Sequence, residues 1–199
     1  MDKYIILKGQ KIDLCATNPQ FLNSIAPWVN DMESAIFIGR TPPYNIVAEE
    51  MWLKRYDPPS QDKIFTIFEK DGDVPIGVTS LDSVNYIDRT AYLGAILSPN
   101  KRNNSFGKEA LILTMDFGFN AMNLHTIIGN MYEFNSRILN ISNFLGGREV
   151  GYIREGRCVG GKYYPIHICE TIDAEFREKN ISTIDKIIKH IADSNEQHK

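Results

Sequence analysis

Hydrophobic and polar residues follow two periods along the chain, and the two periods predict different elements. Apolar residues recur at helical spacing in residues 17–30, at Phe21, Leu22, Ile25 and Val29, whereas short runs such as residues 64–69 are rich in β-branched and aromatic residues, which is typical of strands. The predicted order is strand, two helices, three strands, helix, strand, helix and two strands. Such an order predicts one α/β domain, with a mixed sheet covered by helices on both faces.

The boundaries of these elements come from local signals. Asn45 is placed to cap the second helix, and Gly146-Gly147 is placed to end the last one. The predicted strands are residues 5–15, 64–69, 75–81, 90–98 and 125–134 and two more that flank Gly160-Gly161; the predicted helices are residues 17–30, 45–56, 108–124 and 136–145.

The C-terminal part of the chain has a pattern of its own. Isoleucines recur at helical spacing from residue 181 to residue 191, with charged residues between them. We therefore divide the chain into a domain of residues 1–178 and an amphipathic helical extension of residues 179–199. The extension packs on its own domain or on a second subunit, so a monomer and a homodimer are both open.

Composition narrows the class of protein. The 199 residues carry a net charge of -3, and the absence of a basic excess disfavours a general nucleic-acid binder. The apolar stretch of residues 111–132 is interrupted by Asp116 and His125, so no membrane span is expected and a cytoplasmic location is predicted. The three cysteines lack metal-ligand spacing, so we expect no metal.

Residues 102–108, here called the 102–108 loop, are the strongest candidate for chemistry. A predicted strand feeds this short polar loop, and a helix follows. The free N–H groups and the dipole of a helix N-terminus favour anions, and Arg102 and Lys108 add positive charge. Gly107 permits a close backbone approach. The loop is therefore a candidate pyrophosphate site, although an ordinary polar loop before a helix has the same composition.

The chain resembles the GNAT acetyltransferase superfamily over nearly all of residues 1–178. The loop frame of that family, R-G-x-G-x-G-x-E-A-L, is aligned with RNNSFGKEAL from Arg102, in which Asn103 and Ser105 replace two of the glycines. Further matches are the motifs WVND, PIG, LGAIL, YEFNSR and a late REG…GKYY section, in the right order. Together they are most similar to the subgroup of ribosomal-protein-alanine N-acetyltransferases.

The resemblance implies a single-domain GNAT fold, which has a mostly antiparallel sheet with a V-shaped splay between its central strands. It also implies that acetyl-CoA is the co-substrate and that its pantetheine arm lies in the splay. Asn135 is expected to hold that arm, or else to cap the following helix. The residues expected to bind the cofactor are Ala95, Ile96, Leu97, Arg102, Asn103, Asn104, Ser105, Phe106, Gly107, Lys108 and Asn135.

The catalytic groups are less well defined than the cofactor site. The family commonly has a tyrosine that protonates the departing thiolate, but Ser142 occupies that position, and a serine hydroxyl is a far weaker acid than a phenol. The candidate bases are Asp82 and Glu133, with His167 as a third possibility. Each of the three also fits an ordinary structural or surface role.

An acceptor pocket is expected between the loop that joins the first two helices and the late hairpin. Its candidate lining residues are Arg40, Tyr44, Tyr163, Tyr164 and His167, although these aromatic residues would equally serve to pack the hairpin onto the sheet.

The sequence thus predicts an acetyl-CoA-dependent N-acyltransferase that acetylates a primary amine directly, without a covalent enzyme intermediate. The acceptor would be a peptide N-terminus, an amino sugar or a small amine. The alternative, motivated by Ser142, is a catalytically degenerate acyl-CoA-binding sensor or scaffold.

Overall fold

The structure is a computed structural model that describes residues 3–70, 72–102 and 105–179; of residues 136–139 only the backbone is described. The predictions for Asn103, Asn104 and nearly all of the C-terminal extension therefore lie outside the described residues.

The described chain forms one eight-stranded sheet with helices on both faces. The strands are β1 Ile5–Lys8, β2 Ile12–Ala16, β3 Lys63–Glu69, β4 Pro75–Asn85, β5 Thr90–Leu97, β6 Thr126–Tyr132, β7 Arg148–Val159 and β8 Lys162–Ile172. The helices are α1 Leu22–Asn30, α2 Met32–Ile38, α3 Ile46–Lys54, α4 Phe106–Asn120 and α5 Ser136–Phe144, and residues 173–179 begin another.

The strand order in the sheet is β1-β2-β3-β4-β5-β6-β8-β7. Neighbouring strands are antiparallel everywhere except at β5 and β6, which are parallel. The prediction of a mixed, mostly antiparallel sheet is confirmed.

Two parts of the predicted pattern were wrong in detail. Residues 5–15 form a hairpin of two strands rather than one strand, and its turn closes where the Gly9 N–H donates to the Ile12 carbonyl at 2.9 Å. The prediction also missed α2, which the Asp31 carboxylate caps by accepting the Ser34 N–H at 2.9 Å. An aspartate directly after the last residue of a helix was a usable signal for the start of a second one.

The core lies on both faces of the sheet. On one face α4 and α5 bury a cluster that includes Leu81, Met115 and Leu145. On the other face α1 buries Ile25 and its neighbours against β3 and β4. Different helices cover the two faces, so a cavity in a gap of the sheet can extend to both of them.

Gly146 ends α5 in the left-handed region, with a φ of +87°, as the predicted helix stop requires. A Cβ added there would lie 2.6 Å from the Glu175 carbonyl oxygen. We expect Gly146→Ala to lower the free energy of unfolding by about 2–4 kcal/mol, because backbone strain and overpacking act together. Urea denaturation measures this change.

The matched control is Gly161→Ala. Gly161 has a similar φ of +78°, but no atom lies within 4 Å of an added Cβ. The free energy of unfolding of Gly161→Ala should therefore fall only by the cost of the backbone conformation, about 1–2 kcal/mol. Equal losses in the two variants would show that the contact with Glu175 contributes nothing.

Candidate active site

The central feature of the sheet is a gap between β5 and β6. The two strands pair only at Thr90↔Thr126, Ala91↔Ile127 and Tyr92↔Ile128. Beyond Tyr92 the strands diverge, while β4 stays paired with β5 as far as Leu97. The expected V-shaped splay is therefore confirmed, and backbone groups on the β6 side of residues 93–97 face the opening.

A cavity of about 1170 Å³ fills this opening and continues to both faces of the sheet. Its walls include many of the residues predicted from the sequence: Arg40, Asp82, Ala95, Ile96, Leu97, Arg102, Ser105, Gly107, Lys108, Asn135 and Ser142. Expected residues outside its walls are Tyr44, Phe106, Glu133, Tyr163, Tyr164 and His167.

The start of α4 forms one end of the cavity. Ser105 stands at the N-cap without a side-chain capping bond, so the first-turn N–H groups lack that partner. Gly107 allows the helix to sit against β5, since a Cβ there would lie 3.2 Å from Leu97 Cδ1. The Lys108 ammonium lies over the Phe144 ring, 3.0 Å from its centroid. This end of the cavity therefore combines a helix N-terminus with a lysine.

Lys11 places a second cation beside the start of α4, and the sequence did not predict it. Its Nζ donates to Ser105 Oγ at 2.8 Å, and its backbone N–H donates to Glu109 Oε1 at 3.1 Å. Glu109 thus fixes the β1–β2 turn beside the helix start, in addition to complementing the helix dipole. No local pattern could reveal this contact, because the two residues lie far apart in the sequence.

Arg102 is paired with the first turn of α2. Its guanidinium donates a hydrogen bond to Ser34 Oγ and lies 3.8 Å from carboxylate oxygens of Asp31 and Glu33. Hydrogen bonds from the Ser34 hydroxyl and N–H hold the pKa of Asp31 below its usual value, with a smaller contribution from Arg102. Arg102 therefore links the 102–108 loop to a helix that lines the other face of the cavity.

Of the three candidate bases, Asp82 is the one that lies in the cavity wall. It lies on β4 in the cavity wall, where it accepts hydrogen bonds from Tyr56 Oη and Ser80 Oγ, both at 2.6 Å. Burial raises the pKa of Tyr56, and the bond to Asp82 raises it further, so the phenol stays a donor. Ser80 and Asp82 share a face because they are two residues apart on a strand; Tyr56 was missed as a site residue.

The other two candidate bases lie elsewhere. Glu133 follows β6, and its side chain is exposed outside the cavity. His167 lies on β8, where its Nδ1 is 3.1 Å from Glu149 Oε1 without a hydrogen-bonding orientation. The position of neither residue supports its role as the base.

Ser142 is buried on α5 in the cavity wall, which it shares with Cys169. Burial raises the pKa of Cys169, and the Ser142 hydroxyl opposes the change. Asn135 also lines the cavity, and its side chain makes no capping hydrogen bond to α5. The alternative role of Asn135 as a side-chain cap is therefore not observed.

On the acceptor side, the structure separates the predicted residues. Arg40 lines the cavity, with its guanidinium 4.0 Å from the centroid of the Tyr44 ring and bonded to the buried Glu49. Tyr163 is exposed, and Tyr164 packs edge-on against Phe134 at 5.2 Å. The side chains that line this part instead are Phe37, Trp52, Tyr56 and Tyr92.

Comparison with known proteins agrees with this geometry. The family model described as "Acetyltransferase (GNAT) domain" matches residues 16–148. The chain belongs to the GNAT acetyltransferase family, a family of acetyl-CoA-dependent N-acyltransferases, which confirms the class of protein predicted from the motifs.

Sequence relatives include two spermidine N(1)-acetyltransferases. The one from Vibrio cholerae is 26% identical over 91 residues, which are 46% of this chain and 53% of that protein. The one from Escherichia coli K12 is 27% identical over 97 residues, which are 49% of this chain and 52% of that protein. The matches therefore span about half the length of these relatives.

Solved structures share the fold. The spermidine N-acetyltransferase of Vibrio cholerae in complex with CoA and spermine superposes with a TM-score of 0.79 at 19% identity, over 83% of this chain and 98% of that one. A dodecameric structure of the Vibrio cholerae enzyme gives a TM-score of 0.73 at 20% identity, over 83% and 96% of the respective chains.

The described residues contain no helix long and apolar enough to cross a membrane. Over the same described ranges, His, Cys, Asp and Glu side chains form no group that could hold a metal ion.

Proposed function

We propose that the protein transfers an acetyl group from acetyl-CoA directly to a primary amine. The observation that supports this most is the continuity of one cavity: it runs from the 102–108 loop, through the splay, to the Asp82 carboxylate. A cofactor bound at the helix start can therefore bring its thioester to a base on the opposite face of the sheet.

The cofactor would be held mainly by backbone groups. The diphosphate would accept hydrogen bonds from the first turn of α4, beside Lys11 and Lys108. The pantetheine amides would pair with residues 93–97 in place of the missing sheet partner, with Asn135 across the gap. Arg102 would reach the diphosphate by exchanging its carboxylate partners on α2 for phosphate oxygens.

In the proposed reaction, Asp82 takes a proton from the acceptor ammonium, directly or through water. The neutral amine then attacks the thioester carbon, and a backbone N–H of β5 stabilises the oxyanion. The carbon–sulfur bond breaks, and the thiolate leaves with the electron pair and takes up a proton. The Ser142 hydroxyl would donate a hydrogen bond to that thiolate.

A linear polyamine is the acceptor class that we favour. The acceptor side of the cavity carries the carboxylates of Asp82 and Glu33 together with the rings of Phe37, Trp52 and Tyr92. Carboxylates and aromatic faces both attract ammonium groups. The spermidine acetyltransferases among the relatives support the same class.

A panel of acceptors tests the proposal. The protein is incubated with acetyl-CoA and spermidine, an amino sugar or a peptide with a free N-terminus, and thiol release is followed. Acetyl transfer to spermidine above the other amines is expected. Tight CoA binding without thiol release for any amine would instead favour the sensor or scaffold function.

The cofactor site has its own test. Lys108→Gln should weaken CoA binding about tenfold, because one charge-assisted contact with phosphate is removed. The matched control is Lys101→Gln, since Lys101 lies outside the cavity and pairs with Glu69 at 2.6 Å. Isothermal titration with CoA measures both variants. Equal affinities for the two variants would contradict a phosphate at the start of α4.

A further inference from the structure

We propose that the pocket under α5 binds an acyl chain longer than acetyl, so that the protein also uses propionyl-CoA and butyryl-CoA as donors. This inference rests on the proposed function and deepens it, because it concerns the donor half of the same cavity.

The direction of the cofactor arm fixes where the acyl group lies. The 102–108 loop follows the C-terminal end of β5, at the open end of the V. An arm anchored there runs back along β5 towards Leu93, so its thioester comes to the closed end, near the last pair, Tyr92↔Ile128. Whatever space exists at the closed end is available to the acyl chain.

At the closed end the cavity extends to both faces of the sheet. On one face lies Asp82, where the acceptor amine would enter. On the other face the cavity continues between α4, α5 and β8; its walls there include Met115, Gly129, Ser142, Leu145, Cys169 and Thr171. The acceptor has no need of this second region, because the base lies on the opposite face.

Small side chains keep this region open. Ser142 occupies the position where the family commonly has a tyrosine, so the cavity wall on α5 carries a short side chain there. Gly129 adds no side chain to the wall. Among the described residues, this part of the wall thus has a serine on α5 and a glycine on β6.

The chemistry of the walls suits a short alkyl chain. Met115 and Leu145 are apolar and buried. Burying each methylene of the acyl chain stabilises its binding by roughly 0.8 kcal/mol, about fourfold in affinity. The two extra methylenes of butyryl-CoA should therefore raise its affinity above that of acetyl-CoA by about fifteenfold.

The transfer step itself is unchanged. The amine nitrogen forms a bond to the acyl carbon and loses one proton, the carbon–sulfur bond breaks, and the thiolate takes the electron pair and is protonated to the free thiol. The amine approaches from the Asp82 face, so the alkyl chain can occupy the α5 face without obstructing it.

Three variants test the pocket by kcat/KM with acetyl-CoA and butyryl-CoA, and by the Kd of each donor. Ser142→Leu fills the space and should lower the butyryl-to-acetyl ratio about tenfold in both measurements. Ser142→Ala keeps the space and should leave the ratio unchanged. Gly129→Ala adds a methyl group that meets only Met131 Cε, 3.0 Å away, so it gives a second filled pocket should Ser142→Leu not fold.

The outcomes separate this inference from the proposed function. If acetyl but not butyryl is transferred, and butyryl-CoA binds no more tightly than acetyl-CoA, the proposed acyl pocket is wrong and the proposed acetyltransferase function stands. Parallel losses for both donors in the filled variants also overturn it, and would indicate that Ser142 acts on the leaving thiolate. Absence of transfer from either donor counts against the proposed function, and the binding ratio then decides on the pocket.

Discussion

Asp82→Asn should lower kcat/KM for acetyl transfer by about 10²- to 10⁴-fold, the usual contribution of a general base. The asparagine amide has nearly the same shape; its oxygen can still accept one of the two hydroxyl hydrogen bonds, and its NH2 group can donate to the other hydroxyl. It cannot take a proton from the acceptor ammonium. The Kd of CoA should stay the same, because Asp82 lies at the opposite end of the cavity from the 102–108 loop.

Two further variants give this prediction its controls. Glu133→Gln removes an exposed carboxylate outside the cavity and should stay within about twofold of the wild-type rate. Tyr56→Phe removes one hydrogen bond that orients Asp82; as a positioning change, it should cost less than Asp82→Asn and leave a proton-accepting carboxylate in place. If Asp82→Asn were as active as Glu133→Gln, Asp82 would not be the base.

The fold was predictable because its signals are local or lie in motifs. Apolar runs located the strands, and the LGAIL and YEFNSR motifs located the splay between β5 and β6. The hairpin at Gly9 was missed because its turn lies inside a run that reads as one strand, and α2 was missed because it is short and begins almost directly after the predicted helix of residues 17–30. Individual turn-forming or capping residues decide such boundaries, and the periodicity of hydrophobic residues does not detect them.

The candidate site was predictable on its cofactor side and much less so elsewhere. The 102–108 loop is contiguous in sequence, so its helix N-terminus and lysine were visible together. Lys11 and Tyr56 reach the site through tertiary contacts with Ser105 and Asp82. Such contacts depend on strand register and helix packing, which a single sequence does not reveal. For the same reason Glu133 was indistinguishable from Asp82 until their exposure was known.

The Arg40–Glu49 pair supports the acceptor wall, and its disruption should have the largest effect on stability. The Glu49 side chain is fully buried and binds Arg40 Nη1 and Nη2 at 3.2 and 2.7 Å. The Tyr44 ring covers the guanidinium, and Trp52 lies 5.6 Å away. Removing one partner of a buried ion pair leaves the other charge buried and uncompensated. Glu49→Gln should therefore lower the free energy of unfolding by about 3–5 kcal/mol.

Urea denaturation of three variants checks this expectation. Arg148→Met removes an exposed pair with Glu170 and should cost no more than about 1 kcal/mol. The double variant Arg40→Met/Glu49→Leu leaves no uncompensated charge and should recover most of the stability that Glu49→Gln loses. The double variant should still bind CoA but show a raised KM for the acceptor, because Arg40 lines only that side of the cavity. If Glu49→Gln cost no more than Arg148→Met, water would be reaching the stranded guanidinium, and the acceptor wall would be open to solvent.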